Sequence, residues 1–259
     1  MYDFDPKAAA TKIAESHATL ESYSNLPAEF APPTVNHAYA TQEALRDLWV
    51  LRYGPVKGLK IATTTKIMQE LMGINHPCGG MIFERRIHTS PVQLKRADFI
   101  HLMVECELGV RLGKTLADKG SPYTPSDVRS AVAEVMPAFE LIEDRNAHYK
   151  STNALSFIAD NVWNGGIVLG PAVTVAPDLD LNGIKGRLMV NGTEHGTGVT
   201  DNPMGALAWL ANLAVERGRP IEAGMVVITG SVILTLPINA GDKFAFSLEG
   251  LGTTEMSAE

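Results

Sequence analysis

The sequence predicts an α+β protein whose strands gather in its second half. Three observations carry this. Apolar residues recur at helical spacing through the first 55 or so residues, a two-residue alternation runs from about Phe99 to Val110, and short β-branched runs between Gly, Pro and Asn recur from Ile167 onward. The same order of elements also admits an α/β arrangement.

From Asp5 to about Ser22, Ala8, Ile13, Ala14, His17 and Leu20 share a helical face. A proline-rich connector, LPAEFAPPT, separates this helix from TQEALRDLWVLRYG, for which Thr41 is the expected N-cap and Gly54 the stop. These helices predict an N-terminal helical segment at 1–55, leaving 56–259 as the main domain. Lys60-Ile61-Ala62 reads as a short strand, and Thr64 or Thr65 caps a helix that stops at Gly73. Thr124-Pro125 opens a further helix, expected to run to about Met136 and to feed a short strand, AFELIED. Further strands are expected at IVLG, VTVA, GRLMV, VVITGSVI and KFAFSL, with Asn191-Gly192 as a hairpin turn. A last helix runs from about Asn202 to Arg217 and ends at Gly218.

The 259 residues are 45% hydrophobic and 20% charged, which suits a globular chain with a sizeable core. With 22 Lys+Arg against 29 Asp+Glu the formal charge is −7 and no basic cluster is extended, which argues against nucleic acid and anionic membranes as partners. Cys78 and Cys106 match neither a disulfide framework nor zinc spacing, so a reducing compartment is expected. The acidic start MYDFDPK is unlike a signal peptide, and the apolar run from Ile167 to Ala176 is too short to span a bilayer. These features predict a cytoplasmic protein.

Several motifs fail on spacing. In GVRLGKT three residues separate Gly109 from Gly113-Lys114, where a phosphate loop needs four. GTGVTD and GLGTTE lack the third glycine of a dinucleotide fingerprint. His76 and Cys78 flank a proline and form a weak candidate for a nucleophile pair; a buried cysteine is the preferred reading.

VECELG is more informative. Leu102, Val104, Cys106, Leu108 and Val110 are apolar on one side of the alternation, while His101, Met103, Glu105, Glu107 and Gly109 take the other. On a strand, residues i and i+2 point the same way about 6.6 Å apart, so Glu105 and Glu107 share a face and repel unless something neutralises them. A hard divalent cation, Mg²⁺ or Mn²⁺, would do so. A solvated face of a two-sided strand is the plain alternative. Glu140, in AFELIEDR, can supply a third carboxylate from a second strand, and Lys60 a cation from elsewhere in the chain.

GLKIATTTK (58 to 66), VECELGVRL (104 to 112), PAFELIEDR (137 to 145), IADNVWNGGIVLG (158 to 170), DNPMGALAWLAN (201 to 212), VVITGSVI (226 to 233) and AGDKFAF (240 to 246) follow one another in an order that resembles the hydratase/decarboxylase branch of the fumarylacetoacetate hydrolase superfamily. The resemblance implies a fold of mixed, curved β-sheets packed as a roll with outer helices. It implies Glu105, Glu107 and Glu140 as ligands of Mg²⁺ or Mn²⁺ and Lys60 as the catalytic lysine. Thr64, Thr65, Thr229, Gly230 and Ser231 are implied to position the substrate. Cys78 stands where hydratases of this branch usually carry an acidic residue before the G-x-L/I-F segment.

The implied activity is metal-dependent hydration, or decarboxylation, of 2-hydroxydienoate or 2-oxo-enoate acids such as 2-oxopent-4-enoate, in the meta-cleavage catabolism of aromatics. A 2-oxo acid can chelate a cation that acts as a Lewis acid, and burial beside that cation is expected to depress the pKa of Lys60. An acylpyruvate-type C–C hydrolase or an oxaloacetate decarboxylase is the alternative within the superfamily. A non-catalytic partner subunit of a hydratase–decarboxylase complex is the alternative of another class. Homo-oligomers, and a partner enzyme of the same pathway, are further implications of the resemblance.

Overall fold

The computed structural model describes residues 4–176 and 179–259; Met1, Tyr2 and Asp3 of the acidic start lie outside the described residues. In chain order the elements are α1 (Pro6–Ala18), α2 (Val35–Tyr53), β1 (Val56–Ala62), α3 (Lys66–Met72), β2 (Cys78–Phe83), β3 (Ile87–Thr89), β4 (Val92–Leu94), β5 (Leu102–Leu112), α4 (Pro125–Arg129) and β6 (Val132–Glu143). There follow α5 (Ala154–Ala159), β7 (Asn164–Leu169), β8 (Val173–Thr174), β9 (Lys185–Val190), β10 (Thr193–Val199), α6 (Pro203–Glu216), β11 (Val226–Pro237), β12 (Lys243–Leu248) and β13 (Gly252–Ala258).

The strands form two sheets, both mixed. The larger runs β2-β1-β11-β5-β6-β7-β3, with β8 beside β6, and the smaller runs β10-β9-β12-β13-β4. Parallel pairs occur at β1/β11 and β3/β7 in the first sheet and at β13/β4 in the second. This is the α+β roll with outer helices that the resemblance implies.

The alternation in β5 decides how the sheets meet. Its even residues, from Leu102 to Leu112, are buried in one apolar cluster with Leu188, Phe244, Phe246 and Met256 of the smaller sheet. Phe139 on β6 joins that cluster, its ring 6.4 Å from Phe244 and 6.1 Å from Phe246. Each such fully buried side chain contributes about 1.5–3 kcal/mol relative to exposure. The even face of β5 therefore packs between the sheets, and the odd face carries the glutamates away from that core.

Two boundaries differ from expectation. Helix α2 begins at Val35, because Thr34, following two prolines, accepts a hydrogen bond from His37 N–H as N-cap. Thr41 lies inside the helix with its hydroxyl donating to the His37 carbonyl. The helix opened by Thr124-Pro125 stops at Arg129, and β6 starts at Val132, well before AFELIED. Its residues pair in register with β5 from Val132 opposite Leu112 to Glu143 opposite Leu102. Long-range pairing and burial of Val135 and Met136 override the local helical pattern. At the other cap, Thr65 accepts from Met68 N–H and Gly73 ends α3 in the left-handed region, as expected.

Helices α1 and α2 lie on the outside of the larger sheet. Ile13, Leu45 and Trp49 pack with Met81 and Phe83 of β2. His17 on α1 meets buried Asp160 at 2.6 Å, and Asp160 also pairs with Arg145 beyond the end of β6. The N-terminal helices are thus tied to the segment that follows the third glutamate. Among the described residues no helix is long and apolar enough to cross a membrane.

Candidate active site

The site is assembled on four neighbouring strands at the centre of the larger sheet, β1, β11, β5 and β6. Glu105 stands directly opposite Glu140 across the β5/β6 ladder, and Glu107 stands opposite Ser231 on β11. Lys60 on β1 pairs in register with Ile228 on one side and Gly80 on the other. Cross-strand neighbours on one face bring side chains within about 5 Å. One carboxylate oxygen from each of Glu105, Glu107 and Glu140 accordingly falls within 4.8 Å of the other two.

Each glutamate has one oxygen engaged by the protein. Gly230 N–H donates to Glu107 Oε2 at 2.7 Å, and the Thr235 hydroxyl donates to Glu105 Oε1. Glu140 Oε1 accepts from Asn164 Nδ2 at 2.9 Å and lies 3.1 Å from Lys60 Nζ. Glu107 and Glu140 are 0% exposed, yet Glu107 Oε1 and Glu140 Oε2 have no hydrogen-bond partner. A buried charged oxygen without a partner is costly, so two of them in one cluster call for a cation. With one ammonium against three carboxylates, two negative charges remain when all are ionised, which a divalent ion balances.

The electrostatics of the carboxylates agree with this. Burial raises the pKa of Glu107, and repulsion from Glu140 and Glu105 raises it further. Burial pushes Glu140 up to about 7, against the pull of Lys60 and with the push of Glu105. Lys60 is 2% exposed; burial by itself would lower its pKa, but Glu140, Glu105 and Glu107 together hold it above its ordinary value. The attraction of the three carboxylates thus outweighs the desolvation of Lys60.

Strand β11 shapes the centre through an irregular register. Its pairing with β5 shifts between Ile228 and Ser231 and again between Ser231 and Ile233. Gly230 in this bulge has φ +113°, a backbone conformation that favours glycine, and its N–H is aimed at Glu107. Gly80 makes room on the other side: a Cβ there would lie 3.1 Å from the Lys60 side chain and 2.9 Å from the Asn161 carbonyl.

A cleft of about 800 Å³ opens onto Lys60 and Glu105, with Thr64, Thr65, Gly230 and Ser231 in its lining. Glu107 and Glu140 lie behind it. Thr229 does not line this cleft; its hydroxyl donates to the Leu108 carbonyl at 2.9 Å, because the alternation of β11 turns it toward the β5 backbone. Asp144 lies past the end of β6, where its carboxylate accepts from Asn146 N–H and meets Tyr149 and His101. Cys78 and His76 form no nucleophile pair. Cys78 is fully buried, burial pushes its thiol up to about 11, and His76 turns to the Pro77 carbonyl.

Four residues at the site were missed by sequence reasoning: Asn164, Thr235, Trp163 and His195. Asn164 and Trp163 belong to IADNVWNGG, whose run of small and amide residues between apolar stretches was the available signal. Thr235 and His195 stand on β11 and on a bulge in the β9/β10 hairpin, and local sequence marks neither.

The comparisons with known proteins fit this arrangement. The family model "Fumarylacetoacetate (FAA) hydrolase C-terminal" matches residues 84–257. A 2-hydroxyhexa-2,4-dienoate hydratase from Comamonas testosteroni is 33% identical over 236 residues, covering 86% of this chain and 88% of its own. The 2-keto-4-pentenoate hydratase 1 of Dechloromonas aromatica (strain RCB) is 28% identical over 251 residues, 95% of this chain and 94% of that one. The structure of 4-oxalocrotonate decarboxylase from Pseudomonas putida G7, complexed with magnesium and adipate, superposes with a TM-score of 0.89 at 25% identity, covering 98% of this chain and 97% of that one. With the family model matching residues 84–257, which include all three glutamates, the chain belongs to the fumarylacetoacetate hydrolase family.

Proposed function

We propose that this chain is a divalent-metal-dependent lyase, a hydratase of 2-hydroxydienoate or 2-oxo-enoate acids such as 2-oxopent-4-enoate, serving the meta-cleavage catabolism of aromatics. The observation that carries the reading is the pair of buried, unpartnered oxygens on Glu107 and Glu140 beside Glu105. The hydratase names of the relatives supply the substrate class. Decarboxylation of a 4-oxalocrotonate-type acid is the second reading, favoured by the close structural likeness to that decarboxylase.

In this proposal Glu105, Glu107 and Glu140 hold Mg²⁺ or Mn²⁺. The bound ion supplies Lewis acidity toward the oxygens of a 2-oxo acid. Lys60 Nζ, 3.1 Å from Glu140 Oε1 and facing the cleft, donates a hydrogen bond or a proton where negative charge develops on the substrate. Asn164, Thr235 and Gly230 N–H fix the orientation of the glutamates, each holding one carboxylate oxygen. Thr64, Thr65 and Ser231 line the cleft at this end and orient the acid.

Residues 1–55 as a helical segment beside a catalytic domain at 56–259, a homo-oligomeric assembly and a cytoplasmic location are part of the same proposal; two buried, unpaired cysteines support a reducing compartment. The test is Mg²⁺- or Mn²⁺-dependent loss of dienoate absorbance. Lys60→Met should lower kcat by about 10³-fold with metal binding kept, and Glu107→Gln should abolish metal binding. A wild-type protein that neither binds a divalent ion nor turns over any 2-hydroxydienoate would end the proposal.

A further inference from the structure

We infer that the inner part of the cleft selects a monocarboxylic acid with an apolar tail and rejects acids bearing a second carboxylate at the far end. This rests on the reading just given, in which the 2-oxo acid end lies at the three glutamates.

The lining of the cleft is divided by chemistry. Its charged side chains, Lys60 and Glu105, stand at the glutamate end; of its two other titratable rings, Tyr149 donates its hydroxyl to Asp144 and His195 is exposed on the β9/β10 hairpin. The rest of the lining includes Met72, Ile142, Phe157, Val162 and Trp163, all buried. Among the described residues of the lining, Lys60 is the only Lys or Arg, and it is engaged by Glu140. The cavity of about 800 Å³ falls in the upper part of the ~300–1,000 Å³ range of small-molecule sites, which leaves room for a chain beyond the reacting carbons.

The apolar wall depends on an unusual backbone. Asn161, Val162 and Trp163 follow one another at φ 51°, 54° and 55°, three left-handed residues without a glycine and one of them β-branched. Such a run persists only where its surroundings over-determine it. Here the Asn161 side chain clamps β2, accepting from Met81 N–H at 2.7 Å and donating to the Met81 carbonyl at 2.8 Å. Trp163 is further held edge-on by Tyr23, Tyr149 and Phe157. The next residue, Asn164, is the one that donates to Glu140. One strained turn therefore supplies part of the tail wall and the support of a glutamate in the site.

A distal carboxylate entering this wall would lose its water without gaining a cation. The unpartnered donor there, Trp163 Nε1, is uncharged. A methyl or longer alkyl end loses nothing on entry and gains contact. The expected discrimination is at least about 100-fold in affinity.

The test uses direct binding, by titration calorimetry of the Mg²⁺-loaded protein, with 2-oxohexanoate and 2-oxoadipate. These share a chain length and differ in a terminal methyl against a terminal carboxylate. The inference expects 2-oxohexanoate to bind at least about 100-fold more tightly, and Met68→Arg, a half-buried cleft position on α3, to narrow the ratio by about 10-fold or more. Equal binding of the two acids by the wild type overturns the inference. So does release of CO₂ from 4-oxalocrotonate at a rate matching dienoate hydration. Either result leaves the metal-dependent reading standing. Failure of both acids to bind, together with no turnover of any dienoate, instead removes that reading and this inference with it.

Discussion

Lys60 Nζ and Asn164 Nδ2 converge on one oxygen of Glu140, Oε1, at 3.1 and 2.9 Å, and leave Oε2 of the same carboxylate buried with no partner. A side chain held in this way has a fixed orientation and one oxygen free to bind a cation.

Replacing Asn164 by Ala should weaken divalent-metal affinity by about 10–100-fold, the usual cost of losing a group that orients a metal ligand. Turnover at saturating metal should fall much less. Metal titration followed by calorimetry checks this; an unchanged dissociation constant would show that Lys60 alone holds Glu140.

Glu107→Gln separates stability from metal binding. Metal at 100 times its dissociation constant should stabilise the wild type by about 2.7 kcal/mol, and the variant by nothing measurable. Without metal the order should reverse. The variant removes a buried, repelled carboxylate and should be more stable by on the order of 1 kcal/mol. Thermal melts with Mg²⁺ and with chelator decide it, and a metal-induced rise that survives in the variant would refute the assignment of this glutamate.

Gly80→Ala tests the packing of the lysine. The added methyl would press on Lys60 and on the Asn161 carbonyl, and overpacking of this kind costs about 1–3 kcal/mol. Turnover should drop while metal affinity changes little, because the displaced group is the ammonium. Urea unfolding and kcat on the same preparation provide the readouts; full activity with full stability would contradict the close approach.

Asp160 sets a prediction in pH. Burial would raise its pKa, but His17 and Arg145 outweigh burial and hold it below the usual carboxylate range. A depressed folded-state pKa means stability that is present above the unfolded value and is lost as pH falls through the folded one. Asp160→Asn should therefore cost about 3–5 kcal/mol near neutral pH by leaving Arg145 unpaired, with the difference from wild type shrinking below about pH 4. Denaturant midpoints measured from pH 3 to 7 test the sign; a gap that widens on acidification would be the wrong one.

Much of the fold and part of the site were legible in the residues. Period-two alternation needs no tertiary information, so VECELG alone showed that Glu105 and Glu107 share a face and that Cys106 belongs to the core, where it lies. Thr65 and Gly73 bounded α3 because capping is local chemistry. The helix expected from Thr124 to Met136 was too long for the opposite reason: AVAEVM has no strong local preference, and pairing with β5, distant in sequence, made it a strand. The surroundings of Lys60 were not legible locally, because three carboxylates are brought around it from two strands distant in sequence.

The sequence by itself determined the alternating face that carries two glutamates, the caps and turns, and the order of segments that marks the family. Only the tertiary structure decided that Glu140 sits opposite Glu105, that Gly230 and Thr235 each hold one glutamate oxygen, that Thr229 turns away, and that a left-handed turn lines the cleft. The physical reason is register. A one-residue slip between strands leaves every local pattern intact yet moves each side chain to the opposite face, and only the packed core chooses among such slips.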